Sequence, residues 1–362
     1  TQTMNLLFDV HLDLSLNALE WNRDLTLPID QIRTLEAGKT DMKGRALNTV
    51  CLDEMRKGGI GLCVATQIGG CMKPRGPVAC WETPAQAWGM TQGQRHYYEA
   101  LCDLGEMVQI RNLEQLDAHL ALWADPAAAA AAKAPVGYVL SLEGADSMVT
   151  IDYLETAWEY GLRAIGPAHY GAGRYAMGHD QVGGLRPGGA DLIKKMDELG
   201  IILDVTHLSD DCFYEALDLY QGTVWASHSN CRAIVNDPRQ FSDEQIKLLI
   251  ERGAVLGSVY DTWMMIPGWV RGKTTPQETG VSIAHIGDHI DHICQLAGNT
   301  KHVGIGSDLD GGFGKEQSPV DLETIADLQK LEEILKGRGY SEEDVKAIFS
   351  GNFLRLLREA WA

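Results

Sequence analysis

Eight short apolar runs, most of them separated by amphipathic stretches, set the limits on how this chain can fold. They cover residues 6–14, 59–68, 137–145, 161–170, 200–209, 222–229, 253–261 and 302–311. Each is rich in Val, Ile and Leu and many open on Gly, the pattern of strands buried on both faces of a parallel sheet. Helical periodicity lies between them at 192–199 and at 243–252. The second of these follows the capping sequence Ser242-Asp243-Glu244-Gln245. Two further helical stretches, 322–335 and 342–357, close the chain. Strand–helix alternation predicts βαβ units. Eight strands are the count of an α/β fold of the (β/α)8 TIM-barrel type. A doubly wound sheet more often has fewer strands and a Gly-rich first turn, and no G-x-G-x-x-G follows the first run here.

A chain of 362 residues has room for two or three domains of ~150 residues each, but it also fits one large barrel. With no internal repeat and no composition of a linker, residues 1–362 are read as a single catalytic domain. The long interval 69–136 must hold helices and an excursion around 71–91. The alanine run at 127–132 is read as a helix or a surface connection.

The charge balance is 31 basic to 50 acidic residues, a net charge of −19. A field of that sign repels phosphate backbones and anionic lipid heads, so neither nucleic acid nor a membrane is an expected partner. No leader pattern and no apolar window of ~18 residues is visible, and a cytoplasmic location is expected. A homodimer is the default expectation. The eight cysteines form no C-x-x-C pair and are read as small buried hydrophobes. Cys71 and Cys80, flanking a Pro/Gly stretch, are the one candidate disulfide.

The chemistry lies where the strands end. The first run ends in Asp9-Val10-His11-Leu12-Asp13, the third in Glu143, the fourth in His169-Tyr170, the fifth in His207, the sixth in His228 and the eighth in Asp308-Leu309-Asp310. A barrel brings such ends to one face, where the active sites of this architecture lie. Burying several carboxylates and imidazoles together is costly unless cations compensate. Imidazole with carboxylate suits zinc and related first-row metals. Five ligands exceed one tetrahedral ion and suit two divalent ions, Zn²⁺ first among them. His11 and Asp13 are assigned to one ion, His207 and His228 to the other, and Glu143 to the bridge. His179, in a Gly-rich loop after the fourth strand, is a candidate to line the site. His285, His289 and His292 fall on a helical pattern and are read as surface or packing residues.

These residues carry a resemblance. Asp9-Val10-His11-Leu12-Asp13, Leu142-Glu143-Gly144, Leu203-Asp204-Val205-Thr206-His207-Leu208-Ser209, Ser227-His228-Ser229, Pro238-Arg239 and Gly306-Ser307-Asp308-Leu309-Asp310-Gly311 resemble the membrane (renal-type) dipeptidase family, peptidase M19, of the amidohydrolase superfamily. The resemblance covers nearly the whole chain. It implies a binuclear zinc barrel that cleaves dipeptides, L-Ala-D-Ala among them. It implies the same five ligands, with His169 and Arg239 as substrate contacts and Asp308 as the proton-transfer residue. The loop Asp261-Thr262-Trp263-Met264-Met265 departs from the aromatic and amide-rich pattern of that family. An alternative is a cyclic-amide, lactone or acylated-amino-acid hydrolase of the same superfamily. Such sites commonly open with H-x-H and bridge through a strand-four lysine. Here the opening is H-x-D and the bridge is Glu143. The other alternative, a non-catalytic metal-binding barrel, gives no reason to keep Asp308, His169 and Arg239 together.

Overall fold

The computed structural model describes residues 3–74, 76, 78 and 80–362. Each of the eight apolar runs contains a strand. These are Leu7–Leu12 (β1), Ile60–Ile68 (β2), Val136–Glu143 (β3), Leu162–Gly166 (β4), Ile202–Asp204 (β5), Val224–Trp225 (β6), Leu256–Ser258 (β7) and Val303–Ile305 (β8). They pair in parallel in the order β7-β8-β1-β2-β3-β4-β5-β6. A parallel bridge between Ala226 and Leu256 joins the two ends of that row. The ring is therefore closed, and the strand C-termini all open on one face, as a (β/α)8 barrel requires.

One residue or more from each of six consecutive strands meets inside: Phe8, Leu62, Val139, Ala164, Ile202 and Trp225. Phe353, Leu356 and Leu357 of the last helix, Asn352–Ala360, pack against them. The Phe353 ring stands edge-on to Phe8 and Trp225, with centroids 6.3 and 5.7 Å away. Gly304 in β8 makes room for that ring, since a Cβ there would lie 2.5 Å from it. On β1, Phe8 and Val10 belong to this inner cluster while His11 and Asp13 reach the site. Strict alternation forbids that parity. The register shift between Asp9 and Leu12 permits it, because an irregularity re-aims the side chains beyond it.

Helices cover the outside. Gly189–Leu199 buries Leu192, Ile193 and Met196 at helical spacing. Asp243–Glu251 carries the expected capping box, with Ser242 and Gln245 satisfying each other's backbone N–H groups. The alanine run forms the helix Pro126–Ala131. The two closing stretches are more broken than their periodicity predicts. The first is a 3₁₀ turn, Ile325–Lys330, leading into the helix Leu331–Gly337. The second carries a π turn at Ala347–Gly351 between Glu342–Lys346 and Asn352–Ala360. In the excursion after β2, Gly70–Cys71 and Cys80–Trp81 form a small parallel ribbon ahead of the helix Pro84–Asp103. A three-residue strand, Met107–Gln109, adds to the start of β3. Cys71 and Cys80 lie on the two strands of the ribbon as free thiols, as do the other six cysteines. No helix among the described residues is long and apolar enough to cross a membrane.

Candidate active site

At the open end of the barrel the side chains of His11, Asp13, Glu143, His207, His228 and Asp308 converge. Their ligand atoms fall into three groups with all members within 4.8 Å: His11, Asp13 and Glu143; Glu143, His207 and His228; and His11, His228 and Asp308. Glu143 belongs to the first two. Its Oε2 faces His11 Nε2 and His228 Nε2, each at 3.2 Å, and His207 Nε2 at 3.7 Å. His11 Nε2 also lies 3.2 Å from Asp13 Oδ2 and 3.4 Å from Asp308 Oδ1. The imidazoles of His11 and His228 stack at 3.6 Å. His169 stands beside this cluster, its Nε2 at 3.7 Å from Glu143 Oε1.

Two carboxylates beside the cluster, buried Asp9 and half-buried Asp204, set the strand tips, and the sequence alone gives neither a role. Asp9 accepts from the backbone N–H of Ser307 at 2.9 Å and of His11 at 3.3 Å, and its second oxygen takes the Ser307 hydroxyl. That ties the tip of β1, which carries His11, to the tip of β8, which carries Asp308. Asp204 does the same for β5 and β6. It accepts from Thr206 N at 3.1 Å and Ser227 N at 3.0 Å, and the Ser227 hydroxyl meets His228 Nδ1 at 2.8 Å. Partners of this kind fix the orientation of a ligating imidazole. His207 is oriented from another side, by His179, with the two Nδ1 atoms 3.1 Å apart. The backbone is strained where it matters: His207 and Asp308 have φ of 69° and 57°, in the left-handed region that non-glycine residues avoid. Asp310, also left-handed, accepts from both backbone N–H groups of Thr49 and Val50 and so locks the loop after β8.

Electrostatics within the cluster show how poorly its side chains alone tolerate their own charges. Burial presses the His11 imidazole toward neutrality, but Glu143 and Asp13 outweigh it and lift its pKa to about 10. Burial, with Asp13 adding, pushes Glu143 up to about 8 against the pull of His11. Asp308 is held well above the usual carboxylate range by burial, with Asp13 and Glu143 adding. His169, His207 and His228 are driven well below the usual imidazole range, again chiefly by burial. Two buried oxygens, Asp13 Oδ1 and Glu143 Oε2, make no hydrogen bond. Orphaned buried acceptors of that kind are rare and call for a partner. A divalent cation supplies one and reverses the protonation pattern, since it binds carboxylate and neutral imidazole. Nitrogen and oxygen donors in two groups sharing one carboxylate fit a pair of such ions.

The cluster floors a cavity of about 950 Å³. Arg239 is buried in its wall, donating to the Ser229 hydroxyl at 2.8 Å and the His228 carbonyl at 2.7 Å. Among the described residues three further cations line the cavity, Lys43, Lys73 and Arg271, where the family resemblance implies only Arg239. They come from loops whose approach to the site has no periodicity to announce it. The other histidines have structural partners. His119 meets the Gly61 carbonyl, His302 the Ala254 carbonyl and His292 the Asp243 carboxylate. His289 is buried between Cys231 and Met265.

The comparisons agree with this architecture. A metallopeptidase from Rhodobacter sphaeroides, solved with a phosphinate mimic of the dipeptide L-Ala-D-Ala, superposes with a TM-score of 0.75 at 20% identity, covering 99% of this chain and 100% of that one. The metallopeptidase described as dipeptidase AC gives 0.76 at 21%, covering 99% of both chains. At these identities the likeness is one of fold. In sequence, a protein of Klebsiella pneumoniae from the pqqA 5′ region is 29% identical over 216 residues, 58% of this chain and 76% of its own length. The dipeptidase tcpJ of Claviceps purpurea is 31% identical over 180 residues, 49% of this chain and 38% of its own length. The profile of the membrane dipeptidases, peptidase family M19, matches residues 2–362, and the chain belongs to that family.

Proposed function

We propose that this protein is a binuclear metal-dependent dipeptidase that hydrolyses the peptide bond of dipeptides, L-Xaa-D-Xaa substrates such as L-Ala-D-Ala among them. The observation that carries the reading is Glu143 Oε2, a buried oxygen without a hydrogen bond, faced by three imidazole nitrogens at 3.2–3.7 Å. His11 and Asp13 would hold one divalent ion, His207 and His228 the other, with Glu143 between them and zinc as the first candidate. Such a pair supplies an acidified water and a Lewis acid for the scissile carbonyl. The remaining roles belong to the chain. Asp308 sits against His11 at the edge of the cluster, buried enough that its carboxyl readily holds a proton. It takes the proton of the attacking water and passes it to the leaving nitrogen. His169 is kept neutral by burial and donates its N–H to the oxygen that gains negative charge. Arg239 uses two of its five donors on the protein and turns the others to a terminal carboxylate.

The test is a matched pair of substrates. A charge-assisted hydrogen bond is worth ~1.5–3 kcal/mol, so Arg239→Met is expected to lower kcat/KM for L-Ala-D-Ala by about ten- to a hundredfold. For the C-terminal amide, already a poor substrate, the loss largely vanishes. Equal losses for acid and amide would place Arg239 in the scaffold and refute its part in the reading. Absence of dipeptide hydrolysis by the metal-loaded protein would refute the whole of it.

A further inference from the structure

Among the described residues the cavity is lined by eight carboxylates and four cations, Lys43, Lys73, Arg239 and Arg271. Of its four cations, Lys73 has a carboxylate partner, Asp146, at 3.4 Å. Among the described residues, Lys43, Arg239 and Arg271 form no ion pair within 4.0 Å and rest instead on neutral acceptors. The Lys43 ammonium donates to the Gln317 amide oxygen. The Arg271 guanidinium lies 4.6 Å from the Trp263 ring centroid and donates to the Tyr170 hydroxyl at 3.3 Å. Of the carboxylates near Lys43, Asp261 accepts from Gln317 Nε2 at 2.6 Å and Trp263 Nε1 at 3.1 Å, and Glu316 accepts from the Gly314 backbone N–H at 2.9 Å. Gln317 is thus fixed as a relay, its oxygen toward Lys43 and its nitrogen toward Asp261. Of the acids on the same wall, Asp41 is committed to Arg45 and Asp180 to the Gly171 backbone. Lys43 and Arg271 are exposed, at the mouth rather than the floor. A volume of about 950 Å³ is far more than two alanines need, so the substrate side chains have room to reach that mouth.

We propose that the mouth selects dipeptides bearing an acidic side chain, with Lys43 and Arg271 taking that second carboxylate while Arg239 takes the terminal one. The proposal rests on the dipeptidase reading above and names the substrate class of the same site. A cation whose acceptor is a neutral amide or hydroxyl gains more from a carboxylate than one already paired, because a charge-assisted bond is about twice as strong.

The experiment compares kcat/KM of the metal-loaded full chain for L-Ala-D-Glu against L-Ala-D-Gln, and for L-Glu-D-Ala against L-Gln-D-Ala. Each pair differs by one charge at nearly equal size. The acid is expected to be favoured by about tenfold or more in at least one pair, a ratio that shrinks with added salt because the contact lies at the rim. In Lys43→Met/Arg271→Met the ratio should fall to within about twofold of one. Should the double variant misfold, Lys43→Gln and Arg271→Gln are each expected to lower the ratio. A ratio near one in both pairs, or a preference that survives in the variants, overturns the proposal. Hydrolysis of L-Ala-D-Ala without any acid preference removes only this inference. Failure to hydrolyse any dipeptide removes the dipeptidase reading and this one with it.

Discussion

Asp308 is where the proposed chemistry separates from metal binding. It approaches His11 at 3.4 Å yet shares no group with Glu143, whereas His11 and His228 each do. Asp308→Asn keeps the shape and removes the proton acceptor. General acid–base catalysis contributes ~10²–10⁴-fold, and kcat should fall by that order while metal content, measured on the same sample, is largely kept. Matched losses of metal and activity would make Asp308 a ligand instead. A different residue contributes to acid stability. The His289 Nδ1 accepts from the Cys231 N–H at 3.1 Å, and its Nε2 donates to the Met265 carbonyl at 2.9 Å. Both nitrogens are satisfied only in the neutral ring, and burial holds its pKa down to about 4. An unfolded histidine titrates near ~6.5, so the unfolded chain binds the extra proton first. This contribution to stability is complete above that pH and is lost as the pH falls from there toward about 4. Urea midpoints should drop less steeply across that window in His289→Gln than in the parent, by up to ~1.4 kcal/mol per pH unit. Parallel curves would rule His289 out as the sensor.

Among the elements, β1 and β8 carry the most information per residue. The first strand and its two candidate ligands, His11 and Asp13, are legible in the sequence. That Phe8 and Val10 also face the barrel interior is not, because a register shift leaves no mark on an apolar run. Asp9 and Asp204 were equally hidden. Each sits inside a quoted motif, but the bond that ties it to the neighbouring strand goes to a backbone N–H there, Ser307 for Asp9 and Ser227 for Asp204, which only the folded barrel brings near. At β8, Gly304 and Phe353 occupy the same space. Phe353→Ala should cost ~3–5 kcal/mol of stability, and Gly304→Ala ~1–3 kcal/mol by overpacking. In the double variant the alanine methyl fills part of the vacated ring volume, so the losses should fall short of additive. Additive losses in denaturant midpoints would mean that Gly304 is kept for its backbone and not for the ring.

For the molecule as a whole, alternation of strand and helix fixes the barrel, and the barrel fixes which ends meet. That is why the converging residues could be named from strand termini alone, despite spacings of more than a hundred residues between Asp13 and Glu143. Loops follow no such period, and the cations Lys43, Lys73 and Arg271 in the cavity wall came to light only in the folded chain. The central claim is that two ions share Glu143 and act together in peptide hydrolysis. It is tested most directly by adding Zn²⁺ stepwise to the metal-free protein while following turnover of L-Ala-D-Ala and bound metal in parallel. Turnover should rise to a break at two ions per chain, and Glu143→Gln should lose that break. Full activity at one ion per chain, or two tightly bound ions without turnover, would contradict the account.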